Sequence, residues 1–321
     1  MRDHGGNIDW AMAHFGGDPS RWIDLSTGIN RVPYPMPAVS PAASQALPTR
    51  ASIEALISAA ARAYRWSGSI LPMAGAQAAI QLLPRLITPG TARVLAPTYN
   101  EHAACLLAAG WQVEEVATLR DLAGADLAVV VNPNNPDGQS FAPSDLIALT
   151  DQVGHLVVDE SFADPRPDLS LTSVGTHPEN LYILRSFGKF FGLAGIRLGF
   201  VLGSAANVAK LAEISGPWPV SGIAIEVGQK ALSDDTWAQE TITRLRAETS
   251  EIDSMAKGKD WTLVGGTELF RLYKTPNAKE AQEHLARHHI WSRIFPWSQS
   301  CIRLGLPGSQ DEWARLQEAM A

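Results

Sequence analysis

Leu181-Tyr182-Ile183-Leu184-Arg185-Ser186-Phe187-Gly188-Lys189-Phe190-Phe191-Gly192-Leu193-Ala194-Gly195-Ile196-Arg197-Leu198-Gly199-Phe200-Val201-Leu202 decides the fold of this chain. Two short apolar runs, Leu181–Arg185 and Leu198–Leu202, read as buried strands. The link between them sets one lysine among small and apolar residues, with Ser186 three positions before it and Arg197 eight after. A lysine in such surroundings is costly unless its amine is used or neutralised. Desolvation and nearby cations lower an amine's pKa, and a neutral amine attacks carbonyl groups. Ser186 and Arg197 are the partners that a phosphate on the same carbonyl compound would need.

Outward from that stretch the pattern repeats. Arg93–Ala96, Gln112–Val116, Leu127–Val131 and Leu156–Asp159 are further candidate strands. Amphipathic helices are expected around Gln77–Ile87, Glu101–Ala109, Pro143–Asp151 and Ala205–Ile214. This alternation predicts an α/β fold whose mainly parallel sheet is covered on both faces. Ligands of such sheets sit at the carboxyl ends of the strands. Tyr99, Asn135, Asp159 and Lys189 each end or follow a strand.

Beyond Ser233 the pattern changes. A charged helical stretch, Asp234 to Lys257, leads into short strands near Leu269–Tyr273, Trp291–Ile294 and Ile302–Leu304. We therefore expect a large domain over 41–233 and a smaller α+β domain from 1–40 and 234–321. Five prolines between Pro33 and Pro48 make residues 31–50 a poor helix and a crossing segment.

Composition bounds the function. With 321 residues, 45% apolar and 18% charged, the chain can bury a sizeable core. A net charge of -7 and no basic cluster argue against nucleic acid. No uncharged apolar run approaches the ~18 residues of a membrane span. Met1 to Asn7 lacks the apolar core of a signal peptide, and Cys105 and Cys301 give no disulfide framework. A cytoplasmic protein is expected. His284, His288 and His289 read as a solvated helix face, so no metal is expected. Gly188-Lys189 lacks the glycine spacing and the hydroxyl residue of a phosphate-binding P-loop, and no dinucleotide-binding glycine motif follows the first strand.

Pyridoxal 5'-phosphate is the aldehyde that suits Lys189. Its pyridine nitrogen needs an acid, its phosphate needs backbone amides with hydroxyl and cationic partners, and its ring needs an aromatic neighbour. Asp159, at the end of the apolar run Leu156-Val157-Val158, is the candidate acid. Ala76 and Gln77 follow Gly75 at a helix start. Tyr99 could stack, and Asn135, in Asn132-Pro133-Asn134-Asn135-Pro136-Asp137-Gly138, could donate to the phenolic O3'. Each feature alone also suits a turn or a core residue. Their order along the chain is harder to obtain by chance.

Together they resemble the fold-type I enzymes of the class I/II aminotransferase superfamily. The resemblance implies a large domain with a mainly parallel, seven-stranded-type sheet, a small α+β domain and a homodimer. It makes Lys189 the covalent and proton-moving residue, with Asp159 on the pyridine nitrogen, Asn135 on O3' and Tyr99 on the ring. Ala76, Gln77, Ser186 and Arg197 would hold the cofactor phosphate, and Arg303 a substrate carboxylate. A narrower resemblance comes from His4-Gly5-Gly6-Asn7 and Asp24-Leu25-Ser26-Thr27-Gly28-Ile29-Asn30, which are similar to the openings of the L-threonine-O-3-phosphate decarboxylases of cobalamin biosynthesis. That branch implies decarboxylation to (R)-1-aminopropan-2-ol O-phosphate. His4, Gly5 and Arg293 would meet the substrate phosphate, and Gly28 would lie against the substrate. Phe162 fits this branch, since many aminotransferases carry a tyrosine there. Leu47 stands where relatives often carry a tyrosine reaching the neighbouring subunit's cofactor phosphate. The alternative is an aminotransferase acting on a phosphorylated amine such as histidinol phosphate.

Overall fold

The computed structural model describes residues 4–175 and 177–321. The chain divides into two compact units: one takes in Tyr34–Asn135 and Gln139–Ala238, the other the chain up to Pro33 with Pro136–Gly138 and Gln239–Ala321. In chain order the strands among the described residues are β1 (Ile23–Asp24), β2 (Ser69–Met73), β3 (Thr91–Leu95), β4 (Gln112–Val116), β5 (Leu127–Val131) and β6 (His155–Asp159). They continue as β7 (Leu181–Ser186), β8 (Gly199–Gly203), β9 (Thr262–Thr267), β10 (Phe270–Lys274), β11 (Ile290–Trp291), β12 (Arg293–Phe295) and β13 (Ser298–Gly305).

The larger unit is built on a seven-stranded sheet in the order β2-β8-β7-β6-β5-β3-β4. Pairings among β3 to β7 are parallel, while β8 runs antiparallel to both β2 and β7. Six strands thus share one direction, in agreement with the α/β expectation. The central strands explain themselves. All five residues of β5 are buried, as required of a Val-rich strand with both faces covered. Leu71, Met73, Val94, Leu106, Leu127, Val129, Val157, Leu184 and Val201 belong to one core cluster. Helix Glu101–Ala108 connects β3 to β4, and helix Pro143–Thr150 connects β5 to β6.

The structure differs from the sequence expectation in several elements. Ser69–Met73 was not expected as a strand because Pro72 cannot donate to a ladder. It forms the sheet's edge, where that loss is tolerated. The helix expected over Gln77–Ile87 is α-helical only from Ala76 to Leu82 and then tightens to a 3-10 turn, Leu83–Arg85, carrying Pro84. A 14-residue helix, Arg50–Ala63, starts just after the proline-rich segment, its first turn capped by Thr49.

The smaller unit has a four-stranded antiparallel sheet, β12-β13-β10-β9, and a two-stranded parallel pair, β1 with β11. The strand expected over Trp291–Ile294 is interrupted at Ser292: β11 pairs with β1, and β12 pairs with β13. Gly265 and Gly266 hid β9 from the sequence reading. Among the described residues no helix is long and apolar enough to cross a membrane.

Candidate active site

Parallel strands place their carboxyl ends on one edge of a sheet, and the chemistry of the larger unit collects there. Gly75 follows β2, Tyr99 lies in the loop after β3, Asn135 follows β5, Asp159 closes β6, and Ser186 closes β7. Because β8 is antiparallel, its entrance lies at that same edge, which brings in Arg197 two residues before it. Ala76, Gln77, Tyr99, Asn135, Asp159, Ser186, Lys189 and Arg197 line one cavity of about 740 Å³, its open mouth included.

Asp159 is 2% exposed. Its Oδ1 accepts from the Ser161 backbone N–H at 2.9 Å and the Ser161 hydroxyl at 2.5 Å. Its Oδ2 lies 2.9 Å from His102 Nε2. Burial pushes the carboxyl's pKa upward, but the bond and charge of His102 and the two bonds from Ser161 outweigh it and leave the pKa lowered. A carboxylate kept ionised in an apolar pocket suits a cationic partner on its open side. His102 was missed in the sequence. Its signal is its place one turn after Tyr99, on the helix Glu101–Ala108, whose N-terminal end lies beside the strand ends.

Lys189 sits in the short helical turn Phe187–Phe190 that follows β7. Its Nζ lies 5.6 Å from the centre of the Phe162 ring, which is itself buried in the cavity wall. Gly188 is needed here because a Cβ would come within 2.7 Å of Ala194 Cα. Phe187 and Phe191 stack at 4.5 Å and Phe191 stacks on Trp237 at 5.5 Å, fixing the turn from below.

Arg197 adopts a left-handed backbone, φ 55°, that non-glycine residues seldom hold. Such strain persists where the surroundings impose it, and it clusters at functional sites. Gly75 faces this arginine: a Cβ there would stand 2.7 Å from an Arg197 guanidinium nitrogen, and Gly75 has φ +77°. The positive φ is what calls for glycine here, and the missing side chain leaves space that the guanidinium occupies.

Three aromatic and polar groups support the cavity wall. The Tyr99 hydroxyl donates to Gln77 Oε1 at 3.1 Å, and Gln77 Nε2 donates to Glu101 Oε2 at 3.0 Å. Burial, with the charges of Glu101 and Asp159, raises the Tyr99 pKa to about 12, so its hydroxyl keeps its proton.

The smaller unit has its own cavity, lined by His4, Gly5, Ser26, Ser292 and Arg293 among others. Gly28 and Arg303 line neither cavity; both are buried. Arg303 donates to the Ser26 carbonyl at 2.6 Å, and Ser26 does line the second cavity. Arg293 and Arg303 are directly opposite each other on β12 and β13. Burial, followed by the charge of Arg293, lowers the Arg303 pKa to about 9. Two cations set as cross-strand neighbours repel, and an anion bound there would relieve that repulsion.

The family model for aminotransferase class I and II matches residues 22–320, and the chain belongs to that family. Two similar curated relatives are threonine-phosphate decarboxylases. One, from a Sinorhizobium species, is 41% identical and spans 99% of this chain and 97% of its own length. The other, from Pseudomonas aeruginosa, is 40% identical over 100% of this chain and 97% of its own length. Among solved structures, a histidinol-phosphate aminotransferase from Sinorhizobium meliloti, determined in complex with pyridoxal-5'-phosphate, superimposes with a TM-score of 0.83 at 17% identity. It covers 100% of this chain and 94% of that one, a likeness of fold.

Proposed function

We propose that this protein is a threonine-phosphate decarboxylase dependent on pyridoxal 5'-phosphate, producing (R)-1-aminopropan-2-ol O-phosphate for cobalamin biosynthesis. The observation that carries the reading is the identity of 41% and 40% with threonine-phosphate decarboxylases over the whole chain. The cavity fits the cofactor: a buried ionised carboxylate, an amine, and an arginine packed against glycine beside backbone amides line one space. When bound, the cofactor supplies a conjugated ring that accepts an electron pair from the substrate's α-carbon.

The residues then divide the work. Lys189 would bind the cofactor covalently and carry a proton to the substrate's Cα. Asp159 holds the proton on the pyridine nitrogen, with His102 and Ser161 keeping it ionised. Asn135 donates to O3', Tyr99 stacks, and Ala76, Gln77, Ser186 and Arg197 hold the cofactor phosphate. His4, Gly5 and Arg293 take the substrate phosphate, Arg303 its carboxylate, and Gly28 lies against it. Anchoring the substrate at two anionic groups would fix the torsion about Cα and so select the Cα–carboxylate bond for cleavage. Lys189 would supply the proton that replaces the carboxylate at Cα when carbon dioxide is lost. The buried Phe162 leaves O3' without a hydroxyl donor from that position. We read the working form as a cytoplasmic homodimer, which sedimentation of the holoenzyme would test.

The decisive assay incubates the protein with pyridoxal phosphate and O-phosphothreonine. Carbon dioxide and the phosphorylated amino alcohol, identified by mass, are the expected products. Formation of a keto acid that depends on 2-oxoglutarate or another amino-group acceptor, without carbon dioxide, would reject the decarboxylase reading in favour of the aminotransferase.

A further inference from the structure

We infer that Gln77 and Glu101 act as positioning residues that lock the plane of the Tyr99 ring through a one-directional chain of hydrogen bonds. The inference rests on the reading of Tyr99 as the ring's stacking partner and adds to it what holds that partner still.

Tyr99 lies in the loop between β3 and helix Glu101–Ala108, so no strand ladder fixes it. Its side chain packs partly against the core cluster, with the His102 ring centred 6.1 Å from its own and turned by 85°. A tyrosine so placed can still rock about its χ angles. The hydroxyl is its one polar handle.

That handle ends in a chain that runs in one sense. Glu101, 7% exposed, accepts at the far end of the chain. The Gln77 NH2 donates to it at 3.0 Å. The other end of the amide, Oε1, then faces Tyr99 and can only accept, so Tyr99 must donate. The raised pKa of Tyr99 keeps that donor protonated throughout the working range. Cys105 Sγ, 3.9 Å from the same Glu101 oxygen, adds a weak donor at the chain's end. Gln77 thus serves twice: its backbone amide opens the helix beside Arg197, while its side chain turns away to hold the aromatic wall.

The test is a double-mutant cycle on the holoenzyme, read by the dissociation constant for pyridoxal phosphate and by circular dichroism in the cofactor's visible band. That band reports the asymmetry of what surrounds the ring, which a general loss of stability does not alter. Gln77→Leu and Tyr99→Phe should each weaken binding by about threefold to tenfold, the worth of one buried hydrogen bond. Each should also diminish the band, and the double variant should be no worse than either single. Glu101→Gln keeps an acceptor and should stay near wild type, whereas Glu101→Leu should match Gln77→Leu. Losses that multiply in the double variant, or an unchanged band in Gln77→Leu, would overturn the chain. If Gln77→Leu does not fold, Gln77→Met takes its place in the cycle. Tyr99→Ala separates the two readings. An altered band there with none in Gln77→Leu rejects the chain alone; an unaltered band rejects the stacking as well. Neither outcome depends on whether carbon dioxide or a keto acid is formed.

Discussion

Lys189 was legible because a lone lysine among Phe, Gly and Ala has no structural purpose, and Asp159 because a carboxylate at the end of Leu-Val-Val is expensive unless paired. His102 was not, since its meaning depends on a contact 57 residues away in sequence. Lys189→Ala should lower turnover by at least about 10³-fold, the scale of losing a residue that is both covalent and proton-moving. It should also remove the visible band of the pure protein; an equally active, coloured variant would defeat the assignment. His102 yields a prediction with a definite sign. A folded-state pKa held below the unfolded value, about 3.9, stabilises the protein above that value, and the contribution is lost as the pH falls toward the folded pKa. In His102→Leu the largest counterweight to burial disappears, so the Asp159 pKa should rise and the loss should begin at higher pH. Acid unfolding of the apoprotein, followed by far-ultraviolet circular dichroism, should therefore move its midpoint upward. A midpoint that stays in place would mean that Ser161 alone keeps the carboxylate ionised.

At the scale of elements, the central parallel strands announced themselves through continuous apolar runs, whereas the edges did not. Pro72 in β2 and Gly265-Gly266 in β9 break the pattern at positions where an edge strand tolerates them and an interior one would not. The same scale holds a feature no sequence pattern reveals. Arg185, at the end of β7, is buried between Glu160, at 2.8 Å, and Asp164, at 2.6 Å, with the Tyr64 ring 4.3 Å away. Glu160 follows Asp159 and Arg185 precedes Ser186, so this ion pair clamps together the two strand ends that carry the acid and the lysine turn. Burial raises the pKa of both carboxyls, and the charge of Arg185 is what opposes it. Arg185→Met keeps the volume but leaves two buried acids without their cation. We expect a loss of about 3–5 kcal/mol in urea unfolding, the range for a broken buried pair. Below neutral pH the variant should recover part of that loss, because the orphaned acids take up protons on folding. A loss under 1 kcal/mol would show the clamp to be dispensable.

For the whole molecule, the chain forms two compact units, each with a cavity that bears cationic side chains: Lys189 and Arg197 in one, Arg293 in the other. The larger unit carries every residue assigned to the cofactor, so cofactor binding should stabilise that unit in particular. A ligand that binds only the folded state, present at 100 times its Kd, adds about 2.7 kcal/mol. For a unit of some 200 residues this corresponds to a rise in melting temperature of roughly 5–11 °C at about 2–4 °C per kcal/mol. Pyridoxal phosphate added to the apoprotein should produce that rise, and Lys189→Ala should keep part of it, because in the proposed arrangement Arg197, Ser186 and the amides of Ala76 and Gln77 would still hold the phosphate. Arg197→Ala should lose more of the noncovalent share than Lys189→Ala does. Arg293→Ala, whose residue belongs to the other unit, should leave the cofactor-induced rise untouched while abolishing the additional stabilisation by O-phosphothreonine. Melting curves of the four proteins with each ligand alone and with both decide the matter: a cofactor response that falls in Arg293→Ala as far as in Arg197→Ala would contradict the division of labour between the two cavities.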